Sequence, residues 1–169
     1  NYAADITRTF PVNGKFTQEQ SAIYDVVLKA QLDAIATIGP GIEYNKTNEA
    51  TILAITQGLV DLDILKGEVQ ELIGNEAHRQ FYMHGAGHWL GMDVHDVGDY
   101  KVDGQWRVYE PGMVVTIEPG IYIAPGTPGV DERWHGIAIR IEDDIVVTKY
   151  GNENITASVP KTRLETVSY

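Results

Sequence analysis

Apolar residues in the first third of the chain recur every three or four positions, which predicts two amphipathic helices. Thr17 and Gln20 have the spacing of a capping box at the start of the first helix. Gly39-Pro40-Gly41 is a stop signal at its end. The second helix is predicted to begin near Asn45 or Thr47. We interpret both helices as scaffold, because their apolar faces match the requirements of a protein core.

Strand-like stretches rich in β-branched and aromatic residues occupy the first residues and the second half of the chain. We predict a strand from Tyr2 to Val12, a strand, sharp turn and strand from Met113 to Ile123, and one long strand from Gly136 to Thr148. Three segments have weaker patterns. They are residues 67–80 (a short helix or loop with His78 at the surface), Asp99 to Arg107 (a polar hairpin or loop) and Pro160 to Thr166 (a short terminal helix).

Three of the five histidines, His84, His88 and His95, lie within one apolar, glycine-rich segment of fourteen residues. Gly85 and Gly87 disfavour a helix there, so we predict extended chain and tight turns. Histidine is a frequent metal ligand and the side chain that most readily exchanges a proton near neutral pH. The pattern therefore favours a metal or proton-transfer site. Three buried, hydrogen-bonded core histidines are the alternative.

Carboxylates occupy unexpected positions in three of the predicted strands. Asp is disfavoured inside a strand, so Asp5 indicates either a ligand or an exposed strand face. Glu118 ends an apolar run, where a carboxylate is costly unless it is paired, protonated or bound to a metal. Glu142 shares a strand face with Arg140, and a solvent-exposed polar face is the alternative for that pair. Two buried strands that each contain one Glu favour a functional site.

Composition limits the chemistry further. The net charge of −11 argues against a nucleic acid or an anionic membrane as partner. The chain has no cysteine, which excludes disulfides and thiolate sites and fits a cytoplasmic location. No apolar run reaches transmembrane length. Carboxylates with one imidazole suit Mn²⁺, Co²⁺, Fe²⁺ or Zn²⁺, and several carboxylates together suit two divalent ions side by side.

Four stretches together resemble one family, in order and spacing. They are Asp5 to Phe10, His84 to Asp96, Glu118 to Tyr122 and Gly136 to Asp144. The chain resembles the C-terminal catalytic half of aminopeptidase P, a pita-bread metallopeptidase related to creatinase, prolidase and methionine aminopeptidase. The resemblance implies an α+β fold with a curved, mostly antiparallel sheet backed by helices. Residues 1–169 would be the C-terminal portion of the catalytic domain. The first half of that domain, an N-terminal domain and one further metal-binding Asp are then expected before Asn1.

The same resemblance implies an activity and a role for each matching residue. The family removes an N-terminal residue from peptides with proline in second position, usually with two Mn²⁺ ions (Co²⁺ and Zn²⁺ being alternatives), and the full-length protein is expected to be a homo-oligomer. The implied metal ligands are Asp5, His88, Glu118 and Glu142. Glu118 would also transfer a proton. The implied catalytic or substrate-binding residues are His84, His95, Tyr122 and Arg140.

Other functions remain open at this stage. Prolidase shares these motifs but cleaves Xaa-Pro dipeptides. Methionine aminopeptidase fits less well, because Ile6 to Pro11 favours the proline-directed branch. Creatinase uses the fold without metals, whereas this chain retains His88, Glu118 and Glu142. A binding module without catalysis is the alternative of a different class, and it would be expected to lose some of these residues.

Overall fold

Two long helices lie on one side of the protein in this computed structural model, which describes residues 1–166. Helix α1 (Gln18–Ala36) begins as predicted, because Thr17 and Gln20 cap it reciprocally. The Thr17 hydroxyl accepts from the Gln20 N–H at 3.1 Å, and the Gln20 side chain accepts from the Thr17 N–H at 3.0 Å. Helix α2 (Asn45–Asp61) begins at Asn45. The sequence thus predicts both helix starts correctly.

The two helices pack closely where a glycine of α2 faces α1. A Cβ atom added to Gly58 would lie 2.4 Å from a methyl group of Val26. The absence of a side chain at Gly58 therefore sets the distance between the helices. Within the described part of the chain, none of the helices is both long and apolar enough to span a membrane.

Among residues 1–166, seven short strands follow, and every hydrogen-bonded pair of them is antiparallel. A hairpin joins β1 (Lys101–Val102) to β2 (Gln105–Trp106). A three-stranded sheet has the order β3 (Val114–Ile117), β6 (Asp143–Thr148), β7 (Gly151–Asn154), and a separate pair joins β4 (Gly120–Tyr122) to β5 (Ala138–Arg140). The short helices are α3 (Val69–Gly74) and α4 (Arg163–Thr166), and 3₁₀ turns span Ala77–Gln80 and Glu132–Trp134.

The chain crosses between the three-stranded sheet and the β4–β5 pair at two neighbouring points. Glu118 and Pro119 separate β3 from β4, and Ile141 and Glu142 separate β5 from β6. The long strand predicted over Gly136 to Thr148 is therefore two strands in two different sheets. The two crossings are adjacent, because the Ile141 N–H donates to the Pro119 carbonyl at 3.3 Å.

The core of the described residues has two apolar clusters, one beneath the β4–β5 pair and one beneath the three-stranded sheet. The first joins α1 and α2 to the β4–β5 pair, where Ile121, Ile139 and Ile141 are at most 3% exposed. The second joins the end of α1 to the three-stranded sheet through Val115 and Ile145, both fully buried. Burial of this kind is the main favourable term in folding, at about 25 cal/mol per Å² of apolar surface. The helices thus back both sheets, and the opposite sheet faces are free for polar side chains.

Two further sequence-based predictions are wrong, one for residues 2–12 and one for His78. Tyr2 to Val12 does not form a strand, since Thr7 alone makes a bridge, with Glu142. Side chains rather than a backbone ladder hold that segment. His78 is buried, with 5% of its surface exposed, because the 3₁₀ turn that contains it packs against α2.

Candidate metal centre

Glu118 and Glu142 are brought together by the two sheet crossings. Glu118 directly follows β3, and Glu142 directly precedes β6. Because the two crossings are adjacent, the two carboxylates lie close together. Glu142 is 2% exposed, and the side chain of Glu118 is 13% exposed. The Glu118 N–H donates to the Ala86 carbonyl at 2.7 Å, which attaches this crossing to the histidine segment. Two carboxylates far apart in sequence therefore become neighbours in a partly dry environment.

The histidine segment is extended with turns, as predicted, and lies along β3. A Cβ atom on Gly87 would be 1.7 Å from the Thr116 carbonyl oxygen, so only glycine permits this approach. The approach lets the Thr116 N–H donate to the His88 carbonyl at 3.0 Å, while the Thr116 hydroxyl accepts from the His88 N–H at 3.1 Å. The glycine predicted to allow close backbone contact thus fixes His88.

The His88 ring is oriented for metal binding through Nε2. Its Nδ1 lies 2.9 Å from the Trp89 carbonyl, which can only accept, so Nδ1 carries the proton. Its Nε2 is buried and lies 3.4 Å from Asp5 Oδ2 and 3.5 Å from Glu118 Oε1. Within residues 1–166, Nε2 has no hydrogen-bond partner. A lone pair directed between two carboxylates is the arrangement that a cation would complete.

Two overlapping groups of side chains could hold metal ions. Ligand atoms of Asp5, His88 and His95 all lie within 4.8 Å of one another, and so do those of His88, Glu118 and Glu142. The structure therefore brings together all four residues that the sequence singled out as metal ligands, with His95 beside them. Their assignment as ligands stays a prediction.

The electrostatics of Glu142 favour a bound cation. Burial, with the neighbouring carboxylates of Glu118 and Asp5, raises the pKa of Glu142 to about 7, although a hydrogen bond from Thr7 opposes the rise. Glu142 Oε1 is also buried without a hydrogen-bond partner within the described part of the chain. Divalent cations offset both the crowding of negative charge and the unpaired oxygen. Oxygen donors with one imidazole nitrogen fit hard or borderline divalent ions.

His84, Tyr122 and Arg140 form one hydrogen-bonded group beside Glu118. The Tyr122 hydroxyl lies 2.8 Å from His84 Nε2 and accepts from Arg140 Nε at 2.7 Å. Arg140 also pairs with Glu118, with 3.3 Å between Nη1 and Oε2. Burial lowers the pKa of His84, which favours the neutral imidazole. Three residues predicted to bind substrate are thus joined to a predicted metal ligand.

His95 lies beside His88 and Asp5. Its ring meets the His88 ring edge to face, with 4.2 Å between the centroids, and it is exposed. It is free to donate a hydrogen bond to a bound molecule. His95 thus lies against His88 near Asp5, whereas His84 is linked to Glu118 through Tyr122 and Arg140.

Sequence reasoning missed a buried polar cluster directly behind the centre. Asp143 has no exposed surface and pairs with Arg8 and Lys161, both at 2.7 Å. Burial alone would raise the pKa of Asp143, but hydrogen bonds from Lys161, Arg8 and Asn154 hold it at about 2. The signal was visible in the sequence, since Asp143 follows Glu142 inside an apolar strand. The partners could not be read from it, because they come from both ends of the chain.

Comparison with known proteins supports a metallopeptidase site. Residues 1–149 match the family model described as metallopeptidase family M24. The chain belongs to metallopeptidase family M24. Its structural similarity to solved aminopeptidase P enzymes establishes the pita-bread fold expected from the sequence, and this family's catalytic centres contain divalent metal ions.

Three similar proteins illustrate the relationship. The chain is 59% identical to a Haemophilus influenzae Xaa-Pro aminopeptidase, over 95% of the chain and 37% of that protein. It superposes on Pseudomonas aeruginosa aminopeptidase PepP with a TM-score of 0.97 at 59% identity, covering 99% of the chain and 38% of that one. Zinc-substituted Escherichia coli aminopeptidase P, solved in complex with product, has a TM-score of 0.94, 55% identity and the same coverage. The chain thus spans just over a third of the length of these relatives.

Proposed function

We propose that the full-length protein is a metal-dependent aminopeptidase that releases the N-terminal residue from peptides with proline in second position. The main support is the convergence of Asp5, His88, Glu118 and Glu142 in a family M24 chain. Similarity to named Xaa-Pro aminopeptidases over nearly the whole chain supports the proline preference. Two Mn²⁺ ions are the proposed cofactors, since several carboxylates surround one imidazole. Co²⁺ or Zn²⁺ would suit the same donors.

The proposed chemistry is hydrolysis of the peptide bond before proline. Asp5, His88, Glu118 and Glu142 would hold the ions, which when bound supply water activation and charge stabilisation. Glu118 would accept a proton from the attacking water and deliver it to the proline nitrogen as the C–N bond breaks. Arg140 pairs with Glu118 Oε2 and keeps the carboxylate oriented, while Glu118 Oε1 lies 3.5 Å from His88 Nε2.

The flanking residues would bind the substrate. His95 is exposed beside His88 and is placed to donate to the carbonyl oxygen on which negative charge develops. His84 and Arg140 meet at the Tyr122 hydroxyl, and the remaining N–H groups of Arg140 would donate to the peptide beyond the cleaved bond, while the N–H of a neutral His84 faces the Gly85 carbonyl. Their mutual hydrogen bonds restrict each rotamer before a substrate arrives, which reduces the entropic cost of binding.

Peptide assays of the full-length protein test this proposal. With Mn²⁺ present, we expect cleavage of Ala-Pro-Ala and little cleavage of Ala-Ala-Ala. Cleavage of the dipeptide Ala-Pro in preference to Ala-Pro-Ala would favour a prolidase. Absence of cleavage of all three peptides, with Mn²⁺ bound, would favour a binding module and contradict the proposal.

A substitution of Glu118 tests the proton transfer. Glu118→Gln keeps the shape but removes the base, so we expect kcat to fall by about 10²- to 10⁴-fold, the usual contribution of a general base. Glu71→Gln, on an exposed face of α3, is the matched control and should leave kcat unchanged. Normal turnover in the Glu118 variant would refute the assigned role.

A further inference from the structure

We propose that Arg8 is a positioning residue for the metal centre, which holds the segment of Asp5 in register with Glu142 without touching either carboxylate. The inference rests on the proposed metal site and goes beyond the residues assigned to it. It follows from three observations, namely the hydrogen bonds that the guanidinium makes, the backbone bridge that joins the Asp5 segment to Glu142, and the charges around Asp143.

The first observation is that every N–H of the Arg8 guanidinium has an acceptor. An arginine has five such donors in a fixed planar arrangement. Nε donates to the carbonyl of Pro160 (2.8 Å), Nη1 to the carbonyls of Thr7 (2.9 Å) and Glu142 (2.6 Å), and Nη2 to Asp143 Oδ1 (2.7 Å) and the carbonyl of Val159 (2.9 Å). Only 11% of the side chain is exposed. Such complete pairing fixes three separate chain segments relative to one another.

The second observation concerns how the Asp5 segment is attached to the residues around Glu142. Its backbone joins the sheet at one bridge, where the Glu142 N–H donates to the Thr7 carbonyl at 3.0 Å. Arg8 donates to the carbonyls of both residues of that bridge through one nitrogen. Other polar contacts also anchor the segment: the Ala3 N–H donates to the Gly91 carbonyl at 2.8 Å and the Asp5 N–H to Asp144 Oδ2 at 3.2 Å. The hydroxyls of Thr7 and Thr9 donate to Glu142 Oε2 and to the Arg140 carbonyl. Arg8 therefore reinforces the one backbone connection between a candidate ligand segment and Glu142.

The third observation concerns charge. Asp143 is fully buried, and it receives Lys161 on Oδ2 as well as Arg8 on Oδ1. If Arg8 loses its charge, Lys161 still neutralises Asp143, so the fold retains a partner for the buried carboxylate. Losing the planar set of hydrogen bonds of Arg8 should therefore shift the candidate metal ligands more than it destabilises the fold. Lysine keeps the charge, but its single ammonium cannot reach five acceptors in a plane.

Metal titration of two variants of the full-length protein tests the proposal. We expect Arg8→Lys to weaken Mn²⁺ binding by about 10- to 100-fold, the range found for residues that orient metal ligands. Isothermal titration calorimetry measures this affinity at a temperature where circular dichroism shows the variant folded. Activity of Arg8→Lys on Ala-Pro-Ala should recover towards the wild-type value as the Mn²⁺ concentration is raised.

Arg163→Lys is the matched control. Arg163 also binds through two nitrogens and also attaches the C-terminal segment, but its partner is Asp25 on the exposed side of α1. Its substitution should leave Mn²⁺ affinity unchanged. Affinity of Arg8→Lys within twofold of wild type, or equal losses in both variants, would overturn the proposal. If the wild-type protein cleaves no Xaa-Pro peptide, the proposed function fails, but the Mn²⁺ titration still decides the role of Arg8.

Discussion

At the scale of single residues, three consecutive carboxylates behave differently although all are buried. Glu142, Asp143 and Asp144 are at most 2% exposed. Asp143 has its charge compensated by two cations and three neutral donors, whereas Glu142 and Asp144 each keep one oxygen without a hydrogen-bond partner among residues 1–166. Buried polar atoms rarely stay unpaired in native proteins. The middle carboxylate is therefore structural, and its neighbours face the centre that we assign to metal.

Replacing the structural carboxylate should be costly. In Asp143→Asn, Arg8 and Lys161 would face a neutral amide in a buried site. We expect the free energy of unfolding to fall by about 3–5 kcal/mol, as when one partner of a buried ion pair is removed. Urea unfolding of the full-length protein measures it. Asp25→Asn breaks an exposed ion pair and should cost about 0–1 kcal/mol. Equal losses in the two variants would show that Asp143 has no special structural role.

Some of these residue roles could be predicted and others could not. Glu118 and Glu142 were identifiable, because a carboxylate inside an apolar strand needs a partner or an ion. Arg8 was not, since four of its five acceptors lie more than 130 positions away along the chain. His78 was misjudged for a related reason, as its burial depends on how a short turn packs against α2. Polar sequence context does not report such packing.

At the scale of elements, the candidate metal centre is formed by residues at the ends of strands rather than by residues within them. Glu118 and Glu142 lie where the chain leaves one sheet for another, and Pro119 helps to separate the two strands beside it, because it has no N–H for a ladder. The sequence indicated the turn at Glu118 through the Pro-Gly pair. It did not indicate the break at Glu142, where neither Gly nor Pro marks a turn. The crossing there is imposed by tertiary pairing with Thr7 and β3.

The glycine beside His88 provides a test at this scale. Gly87→Ala would place a methyl group against the Thr116 carbonyl, so the histidine segment must move away from β3 and carry His88 with it. We expect Mn²⁺ affinity and peptide cleavage both to fall at least tenfold, measured by calorimetry and by kcat/KM. Gly85→Ala is the control, because its added methyl group would meet its nearest neighbour at an ordinary 3.8 Å. Similar affinities in the two variants would contradict this account of the segment.

At the scale of the whole molecule, excess negative charge and metal binding are connected. The chain has a net charge of −11, and several of its carboxylates converge on one side of the sheets. Repulsion among them opposes folding in the absence of cations. The helices and apolar clusters on the other side of the sheets supply the stability that lets this crowding persist. The fold was predictable at this scale from the family resemblance, whereas helix periodicity alone identified only the scaffold.

Metal should therefore stabilise the full-length protein measurably. Free Mn²⁺ at 100 times its dissociation constant is expected to add about 2.7 kcal/mol to the free energy of unfolding for one site. Thermal unfolding with Mn²⁺ and with a chelator measures the difference. The stabilisation should disappear in His88→Ala, which removes the ligand common to both candidate groups. A shift that persists in that variant would mean that Mn²⁺ binds elsewhere.

The central claim is that residues distant in sequence converge to hold catalytic metal, and crystallography tests it most directly. Crystals of the full-length protein grown with Mn²⁺ should give anomalous difference peaks within coordination distance of Asp5, His88, Glu118 and Glu142. Strong Mn²⁺ peaks at other residues, with these four side chains free of metal, would contradict the claim.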